Sequence, residues 1–155
     1  MNDLRSTAEI RGHPLHPMLV QFPIVFFLSA LATDIAFAAK GWEGCAEASK
    51  WLLAAGLAGA ALAAVAGFTD FFGNSRIRAL RDAWLHMFAN LTAVVLEAVN
   101  FFLRLADERT AGSTGLVLSA VVALVLLFSG WKGGALVYRH GVGQSRGDAV
   151  EAARR

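Results

Sequence analysis

Residues 18–38 read MLVQFPIVFFLSALATDIAFA, 21 positions with Asp34 as their one formal charge. A bilayer's hydrocarbon core is about 30 Å thick and takes about 20 mostly apolar helical residues to cross. This stretch therefore reads as a transmembrane helix. Working outward, three more stretches meet the same requirement: 51–72, dominated by Ala and Gly, then 84–105 and 114–138. The connections are short and hold turn and cap formers, Lys40-Gly41, Gly73-Asn74-Ser75 and Gly112-Ser113. Short connections force neighbouring helices antiparallel. The expected fold is an all-α integral membrane protein, a four-transmembrane-helix up-down-up-down bundle over residues 1–143, with a short cytoplasmic tail at 144–155.

Composition agrees. Hydrophobic residues make up 56% of the chain and charged residues only 17%, against about 25% charged in soluble domains. Too little polar surface remains to cover a water-soluble fold. Cys45 is the single cysteine, so no internal disulfide forms. The formal net charge is +2, and the basic residues are too few and too scattered to argue for nucleic-acid binding. Arg5 and Arg11, an apolar run and Ala36-Phe37-Ala38 imitate a signal peptide. The run is longer than such a segment needs, Asp34 stands just before the would-be cleavage site, and cleavage would discard half of the histidines.

Orientation follows from the basic residues. Arg5, Arg11, Arg76, Arg78, Arg81, Lys132, Arg139, Arg146, Arg154 and Arg155 fall at one face; Lys40, Lys50, Arg104 and Arg109 fall at the other. Ten against four predicts both termini in the cytoplasm. Trp42, Trp51, Trp84 and Trp131 lie near span ends, as interfacial anchors do. The small residues of the second helix suit close helix packing.

Folding the chain along these spans brings all four histidines to the cytoplasmic membrane face. His13 and His16 precede the first helix, His86 opens the third in its first turn, and His140 closes the fourth; Asp70 ends the second helix at the same level. In Gly12-His13-Pro14-Leu15-His16-Pro17 each proline biases its preceding histidine away from helical geometry. Pro17 suits a first helical turn, so His16 is expected at the N-cap and His13 on an extended lead-in. Neutral imidazole is the commonest transition-metal ligand and the usual axial ligand of haem iron. On the third helix Asn90, Glu97, Asn100 and Arg104 all fall within about 40° of His86 at about 100° per residue. Such a stripe faces the bundle interior. With Asp34 of the first helix, Asn90, Glu97 and Asn100 form either a polar path toward His86 or a set of interhelical hydrogen bonds. No P-loop, dinucleotide fingerprint, Cys-x-x-Cys or Ser-His triad pattern is present.

The stretches GHPLHPMLVQFPI, AGFTDFF with its basic loop and WLHMFANL, and SGWKGGALVYRHGVG together resemble the bacterial four-helix membrane family of domain of unknown function 2231. The resemblance runs from about Gly12 to Gly143, and His13, His16, His86 and His140 fall on the positions that the family's motifs mark. Gln21 departs, where relatives often carry a further histidine. Relatives fused to Rieske-type iron–sulfur or cytochrome-like domains imply a redox partner and electron transfer through haem.

These readings combine into an expectation of a b-type haem protein for electron transfer, an electron carrier or binding protein rather than an enzyme. His16 and His86 are the expected axial ligands, with His13 or His140 as alternatives; Arg81 and Arg139 are expected to pair with haem propionates, since Arg binds carboxylates bidentately. One alternative is a copper, zinc or iron site built from His13, His16, His86, His140 and Asp70 in a metal-handling or transport protein. Another is a cofactor-free accessory subunit of a larger membrane complex. His13 and His16, three residues apart, are expected to substitute partly for each other.

Overall fold

The computed structural model describes residues 4–144. The tail predicted at 144–155 lies, from residue 145 on, outside them. The chain enters through a two-residue hairpin, β1 (Glu9–Ile10) against β2 (His13–Pro14). Its turn holds Arg11 at φ 52° and Gly12 at φ 81°, the pair of positive angles that a tight hairpin with native twist requires. There follow α1 (Leu15–Leu19), α2 (Gln21–Lys40), α3 (Glu43–Gly73), α4 (Ser75–Arg78), α5 (Arg81–Ala106) and α6 (Thr114–Gly134). A 3-10 turn, Glu108–Gly112, precedes α6, and one π turn, Ala135–Arg139, extends it.

Local chemistry sets the breaks. Pro23 offers no N–H to the carbonyl of Leu19, and its ring crowds that carbonyl; the first span is interrupted at Val20, between α1 and α2. Gly41 ends α2 in the left-handed region, φ 68°, with its N–H on Phe37 O. The Asn74 side chain accepts from the Arg76 N–H and starts α4, and Asp107 does the same for Arg109 before the 3-10 turn.

Four spans are long and apolar enough to cross a membrane: Leu15–Lys40, Glu43–Gly73, Arg81–Ala106 and Thr114–Arg139. Only 22–28% of each hydrophobic window is buried within the bundle, which leaves Phe22, Leu62, Phe102 and Leu127 facing outward where lipid must cover them. The helices run longer than the hydropathy windows. α3 begins at Glu43 rather than at 51, because its first turns carry Glu43, Glu47 and Lys50 and extend beyond the apolar core.

The bundle is a pair of hairpins. α2 packs chiefly on α3 and α5 on α6; the hairpins meet through α2 on α6 and α3 on α5. α2 and α5 are therefore diagonal, facing each other across the bundle centre. Phe27 of α2 fits onto Gly56 of α3, where an added Cβ would stand 2.4 Å from its ring; around it Ala30, Leu53 and Ala60 are buried. A second core of Phe71, Ile77, Ala83 and Leu136 closes the histidine end.

Candidate functional site

Two of the four histidines meet. The rings of His16 and His86 lie 6.0 Å apart, centroid to centroid, at 89°. His16 is the second residue of α1 rather than an N-cap, a place held by Pro14. His86 lies in the second turn of α5 rather than the first, because α5 starts at Arg81.

Each ring is anchored in the same way. His16 Nδ1 stands 2.9 Å from Ala63 O on α3, and His86 Nδ1 stands 2.9 Å from Ser129 O on α6. A carbonyl only accepts, so Nδ1 carries the proton in both rings and Nε2 carries the lone pair. Four residues beyond each carbonyl is a glycine, Gly67 or Gly133. A helical N–H bonds the carbonyl four residues back, so each glycine bonds the very oxygen that the histidine shares, and the carbonyl's two lone pairs serve both. The glycines leave room for both rings. A Cβ on Gly67 would stand 2.8 Å from His16 Nδ1, and one on Gly133 would stand 3.0 Å from His86 Cε1. The two hairpins thus repeat one device, with the products facing each other across the bundle centre.

Around His86, Asn90 Nδ2 donates to Nε2 at 3.0 Å, and Ser129 Oγ donates to Asn90 Oδ1 at 2.9 Å. The other predicted residues have separate partners. His13 is exposed, with Nδ1 3.1 Å from Arg11 O. His140 Nε2 donates to Asp82 Oδ2 at 3.1 Å, and Lys132 donates to Asp82 Oδ1 at 2.9 Å, which ties the start of α5 to the end of the fourth span. Asp70 Oδ1 accepts from Ser6 Oγ and from the N–H groups of Thr7 and Ala8 at 2.6–2.7 Å, so its carboxylate fastens the lead-in. Arg81 and Arg139 are exposed at the same end. Among the described residues no group of three or more His, Cys, Asp or Glu side chains could hold a metal ion. The cluster of four histidines and Asp70 resolves into one imidazole pair and three structural contacts.

The stripe on α5 faces inward. Asn90 is half-buried, and Ala93, Glu97, Asn100 and Arg104 are buried. It is divided by Ala93 into the His86–Asn90–Ser129 group and a second network at the far end. There Arg104 grips Asp34 bidentately, Nη1 to Oδ1 at 2.6 Å and Nη2 to Oδ2 at 2.7 Å, both residues fully buried. Arg104 is thus not an outer-face charge, as its place near the span end suggests. Asp34 follows His16 by 18 residues and Arg104 follows His86 by 18, so the ion pair joins equivalent positions of the two hairpins. Asp82 and the Asp34–Arg104 pair escaped the sequence reading. That equal 18-residue spacing was the available signal for the ion pair.

Four apolar membrane-crossing helices in two hairpins make this a multi-pass membrane protein. The chain belongs to the family described as predicted membrane protein (DUF2231), whose sequence profile matches residues 12–146. No curated protein and no solved structure matches it.

Proposed function

We propose that His16 and His86 would hold a b-type haem at the cytoplasmic face of a bacterial inner membrane, and that the protein carries electrons to or from a redox partner such as an iron–sulfur or cytochrome domain. The observation that carries this is the twin Nδ1–carbonyl anchorage. Metal-ligating histidines almost always donate their second ring N–H to a carbonyl or carboxylate, which fixes the tautomer and the ring plane. Here it is done twice, on rings 6.0 Å apart and perpendicular, leaving Nε2 as the ligand atom of each. A pair suits haem, whose iron takes only two axial ligands, better than a bare zinc site, which takes three or four protein ligands. Ligation by His86 would displace the Asn90 amide from Nε2, and Asn90 would keep its bond from Ser129. Arg81 and Arg139, exposed at this end, have the charge and the fork to bind propionates. The haem supplies the reversible one-electron chemistry; the chain supplies ligand position and the low dielectric around it.

Visible absorbance and metal content of the purified protein test this. A Soret band with a reduced α-band supports haem. Bound copper, zinc or iron without a Soret band replaces haem by a single ion between the rings, completed by donors from outside the chain. Neither leaves a cofactor-free accessory subunit. Gly67→Ala and Gly133→Ala probe the anchorage directly. Each should keep the helical content and lower haem affinity about 10–100-fold, the usual cost of removing a partner that orients a ligand; unchanged haem titrations in both would rule the anchorage out.

Orientation rests on the basic residues. With Arg104 buried in its ion pair, the far end keeps Lys40, Lys50 and Arg109, of which Lys50 pairs with Glu108 and Arg109 with Glu43. The histidine end has Arg5, Arg11, Arg76, Arg78, Arg81, Lys132 and Arg139 among the described residues. Reporter tags at either terminus should therefore report cytoplasm; a C-terminal tag active only in the periplasm would reverse the bundle.

A further inference from the structure

At the end of the bundle away from the histidines, six polar side chains meet at membrane depth: Asp34 of α2, Ser49 of α3, Glu97, Asn100 and Arg104 of α5, and Ser119 of α6. None is more than 1% exposed. Glu97 is nine residues from the end of α5 at Ala106, about 14 Å at 1.5 Å per residue, and so lies within the hydrocarbon thickness.

The bonds among these groups nearly close. Asp34 accepts from both arms of Arg104, from Ser49 Oγ at 2.5 Å and from Ser119 Oγ at 2.7 Å. Arg104 also reaches Ser49 Oγ and Ser119 Oγ, and its Nε donates to Asn100 Oδ1 at 3.1 Å. Asn100 Nδ2 donates to Glu97 Oε2 at 2.9 Å and to Gly115 O and Ser119 Oγ. Among the described residues one buried side-chain atom is left over: Glu97 Oε1 has no hydrogen-bond partner.

Charge makes the leftover informative. The network contains one cation, Arg104, and Asp34 neutralises it. An ionised Glu97 would be a second anion in the membrane interior, with one hydrogen bond and no counter-ion. An uncompensated buried charge costs several kcal/mol, whereas an unpaired neutral hydroxyl costs about 1–3 kcal/mol. We propose that Glu97 is a proton-binding site, holding one exchangeable proton on Oε1 as a neutral carboxylic acid, with Asn100 linking its protonation to Arg104. When the proton leaves to water, the new carboxylate competes with Asp34 for Arg104 through the Asn100 bridge and loosens the contact that joins the two hairpins. This site stands apart from the imidazole pair and does not depend on a cofactor there.

Infrared spectroscopy of the protein in lipid nanodiscs tests it. At neutral pH the parent should show a carboxylic-acid carbonyl band that shifts in deuterium oxide and disappears in Glu97→Gln, while the variant melts at the parent temperature or above. Should that variant not fold, 13C-glutamate labelling of the parent assigns the band instead, because an Asp34 acid would not move with the label. No acid band that depends on Glu97 or on the label would overturn the proposal. If deprotonation loosens the Arg104 contact, the melting temperature falls as pH rises through the loss of the band. A melting temperature that is flat across that loss would overturn the link to Arg104.

Discussion

His86→Ala should purify without haem, and His16→Ala should purify equally empty. The two residues are equivalent: each is the imidazole of one hairpin, anchored through Nδ1 to a carbonyl four residues before a glycine, and their rings lie 6.0 Å apart. Neither has a substitute within reach. His13 is three residues from His16 in sequence, but it sits exposed on β2 with its ring on Arg11 O, so the partial exchange of roles expected from spacing does not follow from the fold. His140 is held by Asp82. His13→Ala should therefore keep parent haem content. Haem per protein, by absorbance and iron analysis in one detergent, is the readout, with helical circular dichroism to show that each variant is folded. Full occupancy in His86→Ala would remove the proposed ligand pair and place the haem on other residues.

The sequence made the spans legible because lipid imposes a length: an apolar stretch that must cross about 30 Å announces itself. It made helix ends less legible, since hydropathy reports where the apolar core stops and not where backbone hydrogen bonding stops. Hence the first turns of α3 at Glu43–Lys50 and of α5 at Arg81–Ala83 read as loop. Depth was legible for the histidines, and so was the meeting of His16 with His86; how the rings are anchored was not. Each ring is held by a carbonyl beside Gly67 or Gly133, and Gly67 sits among many small residues of α3 that read simply as packing. Asp70 and His140 illustrate the other side. Their groups were needed to satisfy backbone N–H groups and a carboxylate at the bundle end, a demand that appears only once the lead-in and the π turn are in place.

Arg104→Ala should be the most destabilising single change in the bundle, at about 3–5 kcal/mol, the usual cost of removing one partner of a buried ion pair. The net worth of such a pair is small, because both charges give up hydration to form it; the cost of breaking it is large, because Asp34 would keep its charge with only Ser49 and Ser119 as donors. Asp34→Ala should be about as damaging, leaving the guanidinium buried without its counter-ion. The double alanine variant should lose less than the sum, by a coupling of about 0.5–3 kcal/mol. A sharper test uses the equivalence of the two hairpins. Positions 34 and 104 stand 18 residues after His16 and His86 on diagonal helices, so the exchange Asp34→Arg with Arg104→Asp puts the same two charges across the same axis. It should recover part of the stability that either single exchange destroys, since Ser49 and Ser119 flank both residues. Unfolding midpoints in mixed detergent micelles decide the matter. If the double exchange is no better than the worse single one, the ion pair depends on which hairpin carries the acid, and the likeness of the hairpins ends at their histidines.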